Sequence, residues 1–269
     1  MIIGQDYIIN YIKSKKRDTF PRSLILLGEY GCGKKTVATL IAEHLKLQSV
    51  DITKDLNFEF ITSLYQKPEP YLYIIDGSRI TIKEQNIILK FVEEPLKNAF
   101  IVILAESSNQ LLRTVYNRCQ VLTFVPYLKE TLQQFTSDEL VLKIAKTPGQ
   151  VAELSSNDLT GMIELAEKIV TKIGVANLPN VLTISDKLAY KDEKGKFPVN
   201  VFSKVLVYAI KQEIVANSVV DEQTSKLNSK LFNLYKLILE WDRKRRAPTI
   251  SQKFLFENYL VKFHEAMRG

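Results

Sequence analysis

Two kinds of apolar pattern divide the chain near residue 126. Before that point, continuous apolar runs alternate with apolar residues spaced three and four apart. A short continuous run is typical of a strand buried on both faces, and the wider spacing is typical of a helix. The runs predict strands at residues 23–27, 71–75, 100–105 and 121–124. The stripes predict helices at residues 6–13, 34–45, 82–92 and 111–116. Because strands and helices alternate, this region predicts a parallel, doubly wound α/β sheet.

Helical spacing dominates the rest of the chain. It predicts short helices at residues 128–135, 137–145 and 148–154, and longer ones at 159–173, 202–216, 225–243 and 251–267. The sequence SSND at 155–158 predicts a boundary with a helix cap, and residues 191–198 predict an exposed loop. Several aromatic residues of this region fall in apolar stripes, which predicts core positions for Phe202, Tyr208, Phe232, Tyr235 and Phe256.

Composition and charge narrow the class of protein. The formal net charge is +7, which suits contact with nucleic acid but is also found in proteins that bind none. The two cysteines, Cys32 and Cys119, have no metal-ligand spacing and indicate no disulfide framework. The sequence shows no signal peptide and no apolar run of the length that a membrane span needs. We therefore expect a cytoplasmic protein without a metal site.

A glycine-rich loop follows the first predicted strand and opens a helix. Residues 28–36 read GEYGCGKKT, so Gly28, Gly33 and Lys34 have the spacing of a phosphate-binding P-loop, with Gly31 as an extra turn glycine. A P-loop next requires Ser or Thr to hold Mg²⁺, and here Lys35 takes that place.

The nearest hydroxyl in this loop, that of Thr36, comes one residue late. One helical step turns a side chain by about 100°. The loop therefore predicts a nucleotide-binding fold with weak Mg²⁺ binding, the alternative being an ordinary glycine-rich turn.

An acidic residue ends the second predicted strand. The run YLYIID places Asp76 where a Mg²⁺-holding carboxylate is expected in P-loop proteins. ATPases of this kind carry a Glu directly after it to polarise the attacking water. This chain has Gly77 there and no carboxylate before Glu84. Poor ATP hydrolysis is therefore expected, although Asp76 could also be a simple strand-end acid in a turn.

Four further motifs, in order along the chain, resemble AAA+ clamp-loader subunits of the delta-prime type of DNA polymerase III. They are IGQ at residues 3–5, QNIILKFVEEP at 85–95, NRC at 117–119 and TPGQVAEL at 147–154. The second is similar to the family signature QNALLKxxEEP almost position for position. The resemblance covers about residues 1–155. Asn117 stands where the family usually has Ser.

This resemblance implies a fold, a site and partners. It implies an AAA+ core at residues 1–126, a small helical lid at 127–156 and an all-α collar at 157–269. Arg118 would be an arginine finger, reaching the ATP of a neighbouring subunit. Three positions that motor subunits of the family use read Lys35, Gly77 and, for the sensor-2 arginine, Gly149, as in the non-hydrolysing type. The degenerate nucleotide site would then bind ATP with Mg²⁺ at most weakly. Partners would be delta and gamma/tau-type subunits, the sliding clamp and primer–template DNA.

Other interpretations stay open at this point. The chain could be an ATP-hydrolysing motor subunit of the gamma/tau type, or a stand-alone DNA-binding protein that keeps the fold. Arg118 could be a surface residue paired with a nearby carboxylate, and the basic run at 243–246 a solvated helix end rather than a DNA contact. Glu93 and Glu94 are interpreted as a helix end and subunit contact rather than as an acid–base pair.

Overall fold

A computed structural model describes residues 2–65, 70–94, 99–188, 198–217, 222–244 and 252–268. The chain divides into two compact units, Met1–Ala152 and Glu153–Gly269. Pro95, most of the predicted loop at 191–198, and the second half of the basic run, residues 245–246, lie outside the described residues.

The first unit is built on a five-stranded parallel sheet. Its strands are β1 (Ser23–Leu27), β2 (Gln48–Asp51), β3 (Tyr71–Asp76), β4 (Ala99–Ala105) and β5 (Gln120–Thr123). They are ordered β2-β3-β4-β1-β5, and every pairing is parallel. The four predicted strands are confirmed to within one residue at each end. Strand β2 was not predicted, because all four of its residues are exposed and it has no apolar run.

Helices cover both faces of this sheet. The helices that begin in this unit are α1 (Asp6–Ser14), α2 (Lys34–Leu45), α3 (Phe58–Leu64), α4 (Ile82–Glu93), α5 (Arg113–Tyr116), α6 (Lys129–Leu132), α7 (Glu139–Ile144) and α8 (Pro148–Ser155). Of these, α1 and α2 pack on one face of the sheet and α3, α4 and α5 on the other. Alternate residues of β4 enter different cores: Phe100 and Val102 pack with α1 and α2, whereas Ile101 and Ile103 pack with α4. This alternation is the expected consequence of a strand buried on both faces. The doubly wound α/β fold is confirmed.

The second unit is helical throughout its described residues. It comprises α9 (Leu159–Lys172), α10 (Leu178–Leu188), α11 (Val199–Ala216), α12 (Glu222–Lys244) and α13 (Gln252–Arg268). Helix α11 packs against α9 and α12, and α13 packs against α10 and α12. Helix α10 was not predicted, whereas the other four were, to within three residues at each end.

Aromatic side chains fill much of this helical core. Trp241 is fully buried and its ring centroid lies 4.9 Å from that of Phe256, which also packs edge-on against Phe202. The core positions predicted for Phe202 and Phe256 are confirmed. The prediction for Phe232 is wrong, because this residue is 51% exposed: it lies on the outer face of α12, next to the buried Leu231. The three-region division at 126 and 156 stays a prediction, and α8 crosses the boundary between the two units.

Candidate nucleotide-binding and subunit-contact sites

The glycine-rich loop connects β1 to α2, as the sequence predicts. Gly31 and Gly33 have φ values of +80° and +99°, in the left-handed region that favours glycine. Helix α2 begins at Lys34, directly after the second of these glycines. The amide of Gly28 donates to the Ala105 carbonyl at 3.0 Å, which ties the start of the loop to the end of β4. The backbone therefore has the strand–loop–helix form of a P-loop.

The two lysines of the loop make contacts within the chain. The ammonium of Lys34 donates to the carbonyls of Gly28 at 2.5 Å and Glu29 at 2.9 Å. Lys35 points to the end of β2, where its Nζ lies 3.2 Å from Oδ2 of Asp51. Thr36 is exposed on the first turn of α2. The lysine that would reach the phosphates of a nucleotide thus folds back on its own loop.

Asp76, the expected metal-holding carboxylate, also has partners on both oxygens. Its Oδ1 accepts hydrogen bonds from the amide of Ser78 at 3.1 Å and from the Ser78 hydroxyl at 2.6 Å. Its Oδ2 forms an ion pair with Nε of Arg79 at 3.1 Å. A cation at Asp76 would have to displace this guanidinium. The contacts match those of a strand-end acid that stabilises a turn.

Gly77, the position of the missing catalytic carboxylate, is tightly enclosed. A Cβ atom there would lie 2.9 Å from Cδ2 of Leu111 and 3.0 Å from the carbonyl oxygen of Leu104. Both contacts are tighter than ordinary van der Waals packing, so a Cβ at this position requires the Leu111 side chain to turn aside and the Leu104 carbonyl to shift by a few tenths of an ångström.

The segment around α8 docks on the outer side of the glycine-rich loop. The amide of Gly149 donates to the Gly31 carbonyl at 2.9 Å, and the hydroxyl of Thr147 donates to the Tyr30 carbonyl at 2.8 Å. A Cβ atom on Gly149 would lie only 2.6 Å from Cα of Gly31. The loop and the helix therefore meet backbone against backbone, and a sensor-2 arginine has no space at Gly149.

These contacts allow a direct test of whether Mg²⁺–ATP fits the site. The Lys34 ammonium and the Asp76 carboxylate are both engaged, and Lys35 offers no ligand for Mg²⁺. No group of three or more His, Cys, Asp or Glu suitable for a metal ion occurs in the part of the chain that the structure describes. As arranged, these residues do not fit the magnesium-bound nucleotide of an active ATPase.

Arg118 lies just beyond α5, on the exposed side of the chain. Its Nε forms an ion pair with a carboxylate oxygen of Glu93, near the end of α4. Its Nη1 donates to the Thr114 carbonyl at 2.9 Å. The side chain remains 41% exposed. The structure thus shows the carboxylate pairing that the alternative interpretation of Arg118 proposed, together with a guanidinium that is still accessible from outside.

Sequence reasoning missed the role of Gln85, although it opens the motif at 85–95. Gln85 is 4% exposed, its Nε2 donates to the Gln110 carbonyl at 2.9 Å, and its Oε1 accepts from the Leu112 amide at 2.7 Å. These bonds tie α4 to the segment that leads into α5 and Arg118. The sequence signal that could have indicated this role is the amide side chain of Gln85 within the apolar stripe of α4.

Both cysteines have raised pKa values. Burial raises the pKa of the Cys119 thiol to about 12, and burial is also the main cause that raises the pKa of Cys32. Thiolates are the reactive form, so neither residue has the character of a nucleophile.

Comparison with known proteins gives partial sequence matches. Residues 47–127 match the family model described as DNA polymerase III, delta subunit. The chain is 36% identical over 72 residues to DNA polymerase III subunit delta' of Haemophilus influenzae, covering 27% of this chain and 22% of that protein. It is 35% identical over 96 residues to the Bacillus subtilis subunit delta', covering 32% of this chain and 29% of that protein.

The match to solved structures is broader. A single-residue variant of RuvB from Thermotoga maritima has a TM-score of 0.51 at 16% identity, covering 97% of this chain and 88% of that one. At this identity the likeness shows the fold alone, which is that of an AAA+ protein. The alignments to the two delta' proteins span less than a third of their lengths. The chain is thus similar to clamp-loader delta-prime proteins in sequence and has an α/β AAA+ fold. None of the described helices is long and apolar enough to cross a membrane.

Proposed function

We propose that this AAA+ chain, similar to the delta-prime subunits of DNA polymerase III, is a clamp-loader subunit that hydrolyses ATP poorly or not at all. In this proposal it assembles with delta and gamma/tau-type subunits and helps to load a sliding clamp onto primer–template DNA in the cytoplasm. The observation that carries it is steric. The two positions at which a motor subunit would need Glu and Arg are Gly77 and Gly149. A Cβ on Gly149 would lie 2.6 Å from Cα of Gly31, and one on Gly77 would lie 3.0 Å from the Leu104 carbonyl oxygen.

Arg118 is the residue through which such a subunit would still contribute to catalysis. Its guanidinium is held by Glu93 on Nε and by the Thr114 carbonyl on Nη1, while 41% of the side chain remains exposed. An arginine supplied to a neighbouring ATP stabilises charge that develops on the γ-phosphate. Glu93 would act as a positioning residue, since a carboxylate on Nε restricts the directions in which the rest of the guanidinium can point.

The test is ATP hydrolysis by this chain alone and by the loader reconstituted with the other subunits, clamp and primed DNA. We expect no turnover from the chain alone. Arg118→Ala should lower loader turnover at the neighbouring site by about 10³-fold, the lower end of the range for arginine fingers. Arg113→Ala is the matched control, because Arg113 is an exposed arginine at the start of α5, the short helix that Arg118 follows. Glu93→Gln should give a smaller loss, since it keeps the shape of the side chain but removes the charge.

Three results would count against the proposal. Loader activity unaffected by Arg118→Ala, with the variant still assembled, would reduce Arg118 to a surface ion pair. Robust turnover by the isolated chain that Lys34→Ala abolishes would identify a motor subunit of the gamma/tau type. Salt-sensitive DNA binding without any stable loader partner would favour a stand-alone DNA-binding protein.

A further inference from the structure

The segment between α1 and β1 has an unusual concentration of positive charge. Residues 13–22 contain five basic residues and one acidic residue, a net charge of +4, out of +7 for the whole chain. The five are Lys13, Lys15, Lys16, Arg17 and Arg22. We refer to residues 13–22 as the basic edge.

The fold places the basic edge far from the glycine-rich loop. Arg22 directly precedes β1, and its carbonyl accepts a hydrogen bond from the Ile101 amide at 2.7 Å. Parallel strands share one edge for their amino ends and the opposite edge for their carboxyl ends, where Gly28 begins the loop. The basic edge is therefore a separate surface from the nucleotide site and from the segment docked on it.

The carboxyl end of α2 adds Lys46 to the positive charge next to the basic edge. The ring Nε2 of His44, in the last turn of α2, lies 2.8 Å from the Lys15 carbonyl oxygen. Lys46 follows directly after α2 and is exposed. Lys13 and Lys46 lie at helix carboxyl ends, where a cation is favoured by the helix dipole alone. Lys15 caps the carboxyl end of α1 and shares this effect. Lys16, Arg17 and Arg22 lie beyond the ends of the α-helices, so the dipole does not account for those three.

Aromatic packing fixes two cations of the basic edge. The Nζ of Lys15 lies 5.5 Å from the ring centroid of Tyr11, and the guanidinium of Arg22 lies 4.4 Å from that of Phe100. Phe20 joins the two rings, with centroids 6.4 Å from Tyr11 and 6.2 Å from Phe100. The two charges therefore sit at the ends of one continuous aromatic row that belongs to the core of the first unit.

The charges of the basic edge have no carboxylate partners among the ion pairs of the described residues. Some lysines elsewhere do have such partners: Lys35 pairs with Asp51, Lys129 with Glu139 and Lys204 with Glu153. Lys16 and Arg17 are both exposed on the short 3-10 turn that begins at Arg17. The edge thus presents uncompensated positive charge on a rigid support.

We propose that the basic edge binds the phosphate backbone of duplex DNA. Lys and Arg contacts to phosphates need no apolar centre and provide affinity that is independent of base sequence. A protein interface of comparable strength normally has an apolar core, and here the large apolar side chain, Phe20, is 4% exposed and committed to the fold. The proposal is independent of Arg118 and of membership in a loader.

The experiment is fluorescence anisotropy of this chain with a labelled duplex of about 20 base pairs, between about 50 and 200 mM salt, the range over which phosphate contacts are most apparent. The test variant combines Lys13→Ala, Lys16→Ala and Arg17→Ala, which spares the two cations in the aromatic row. The matched control combines Lys143→Ala, Lys168→Ala and Lys172→Ala, three exposed lysines that remove the same net charge. Circular dichroism and thermal unfolding check that both variants fold.

If all three side chains contact phosphates, the slope of log K against log salt should fall by about 2.7 in magnitude, at about 0.9 per contact. Affinity at low salt should fall at least tenfold, whereas the control should stay near the unmodified chain. Equal losses in both variants would overturn the proposal, because net charge alone would then explain the binding. Unchanged DNA affinity in the test variant would also overturn the proposal. That result is the one expected if the basic edge binds an acidic protein instead of DNA. Loader ATPase assays on Arg118 leave this result unaffected, so the two proposals can fail separately.

Discussion

The close contact between Gly31 and Gly149 provides the sharpest test of the docked arrangement, through the substitution Gly149→Ala. The added Cβ would lie 2.6 Å from Cα of Gly31 and 2.9 Å from its carbonyl oxygen. Both neighbours are backbone atoms, so no flexible side chain can turn aside. Gly149 has no positive φ, and backbone strain at residue 149 therefore does not contribute.

The expected cost follows from two ways of relieving the clash. Keeping α8 docked costs about 1–3 kcal/mol, the usual range for overpacking a filled site. Moving α8 away instead breaks the bonds from Gly149 to Gly31 and from Thr147 to Tyr30, at about 0.5–1.5 kcal/mol each. Alanine offsets up to about 1 kcal/mol of either cost, because it is a better helix former than glycine. We expect a net loss of about 1–2 kcal/mol in the stability of the docked state.

Hydrogen–deuterium exchange is the appropriate assay, because the single tryptophan, Trp241, lies in the other unit and does not report on this contact. Peptides covering residues 28–33 and 146–152 should exchange about 5–30 times faster in Gly149→Ala, the factor that corresponds to one or two kcal/mol. Gly161→Ala is the control: its Cβ would meet only the side chain of Asp158, at 3.1 Å, so it should not speed exchange in those peptides. Protection equal to that of the unmodified chain would refute the packing argument.

Three further predictions follow from single side chains. Gln85→Met should lower the free energy of unfolding in urea by about 1 kcal/mol, because it leaves the partly buried backbone amide of Leu112 without its acceptor. Cys119 should resist iodoacetamide at pH 8 in the folded chain and react on unfolding, because burial raises its pKa to about 12. Burial opposes ionisation of Asp51, but hydrogen bonds from Thr53 and the Lys35 ion pair outweigh it and lower its pKa. Its stabilising contribution should therefore be full above the ordinary aspartate pKa and be lost as pH falls through the lowered one. Thermal unfolding measured from pH 6 to pH 3 should show this loss of stability. In Asp51→Asn the melting temperature should fall less over the same pH range.

The core of the fold could be predicted because burial leaves a pattern in the sequence. Strand β4 is buried along its whole length, and its continuous apolar run predicted it to within one residue. Strand β2 has no buried residue, and only its parallel pairing with β3 makes it a strand. Helix α3 was missed as well. Its first turn exposes Phe58 at 70%, so the apolar positions do not form one clean stripe. Both elements depend on tertiary contacts rather than on local pattern.

The site was predictable in its residue types but not in its contacts. The spacing from Gly28 to Lys34 located the loop, and the strand before Asp76 located the acid. That Lys34 bonds to its own loop and Asp76 to Arg79 depends on distances of a few ångströms. The docking of Thr147 and Gly149 on the loop joins positions more than 115 residues apart, and no local periodicity carries that information.

The three departures from an active ATPase differ in kind, and this bears on how firmly the chain is committed to inactivity. Lys35 is an exposed side chain held by one surface ion pair, so a threonine there meets no steric obstacle. Gly77 and Gly149 are different, because each faces backbone atoms within 3.0 Å of a Cβ position. Restoring the hydroxyl at residue 35 would still leave the site without its base and with α8 seated on the loop. We therefore expect that Lys35→Thr alone does not restore hydrolysis, because the inactivity we propose also rests on the packing around Gly77 and Gly149 and not on one substituted side chain.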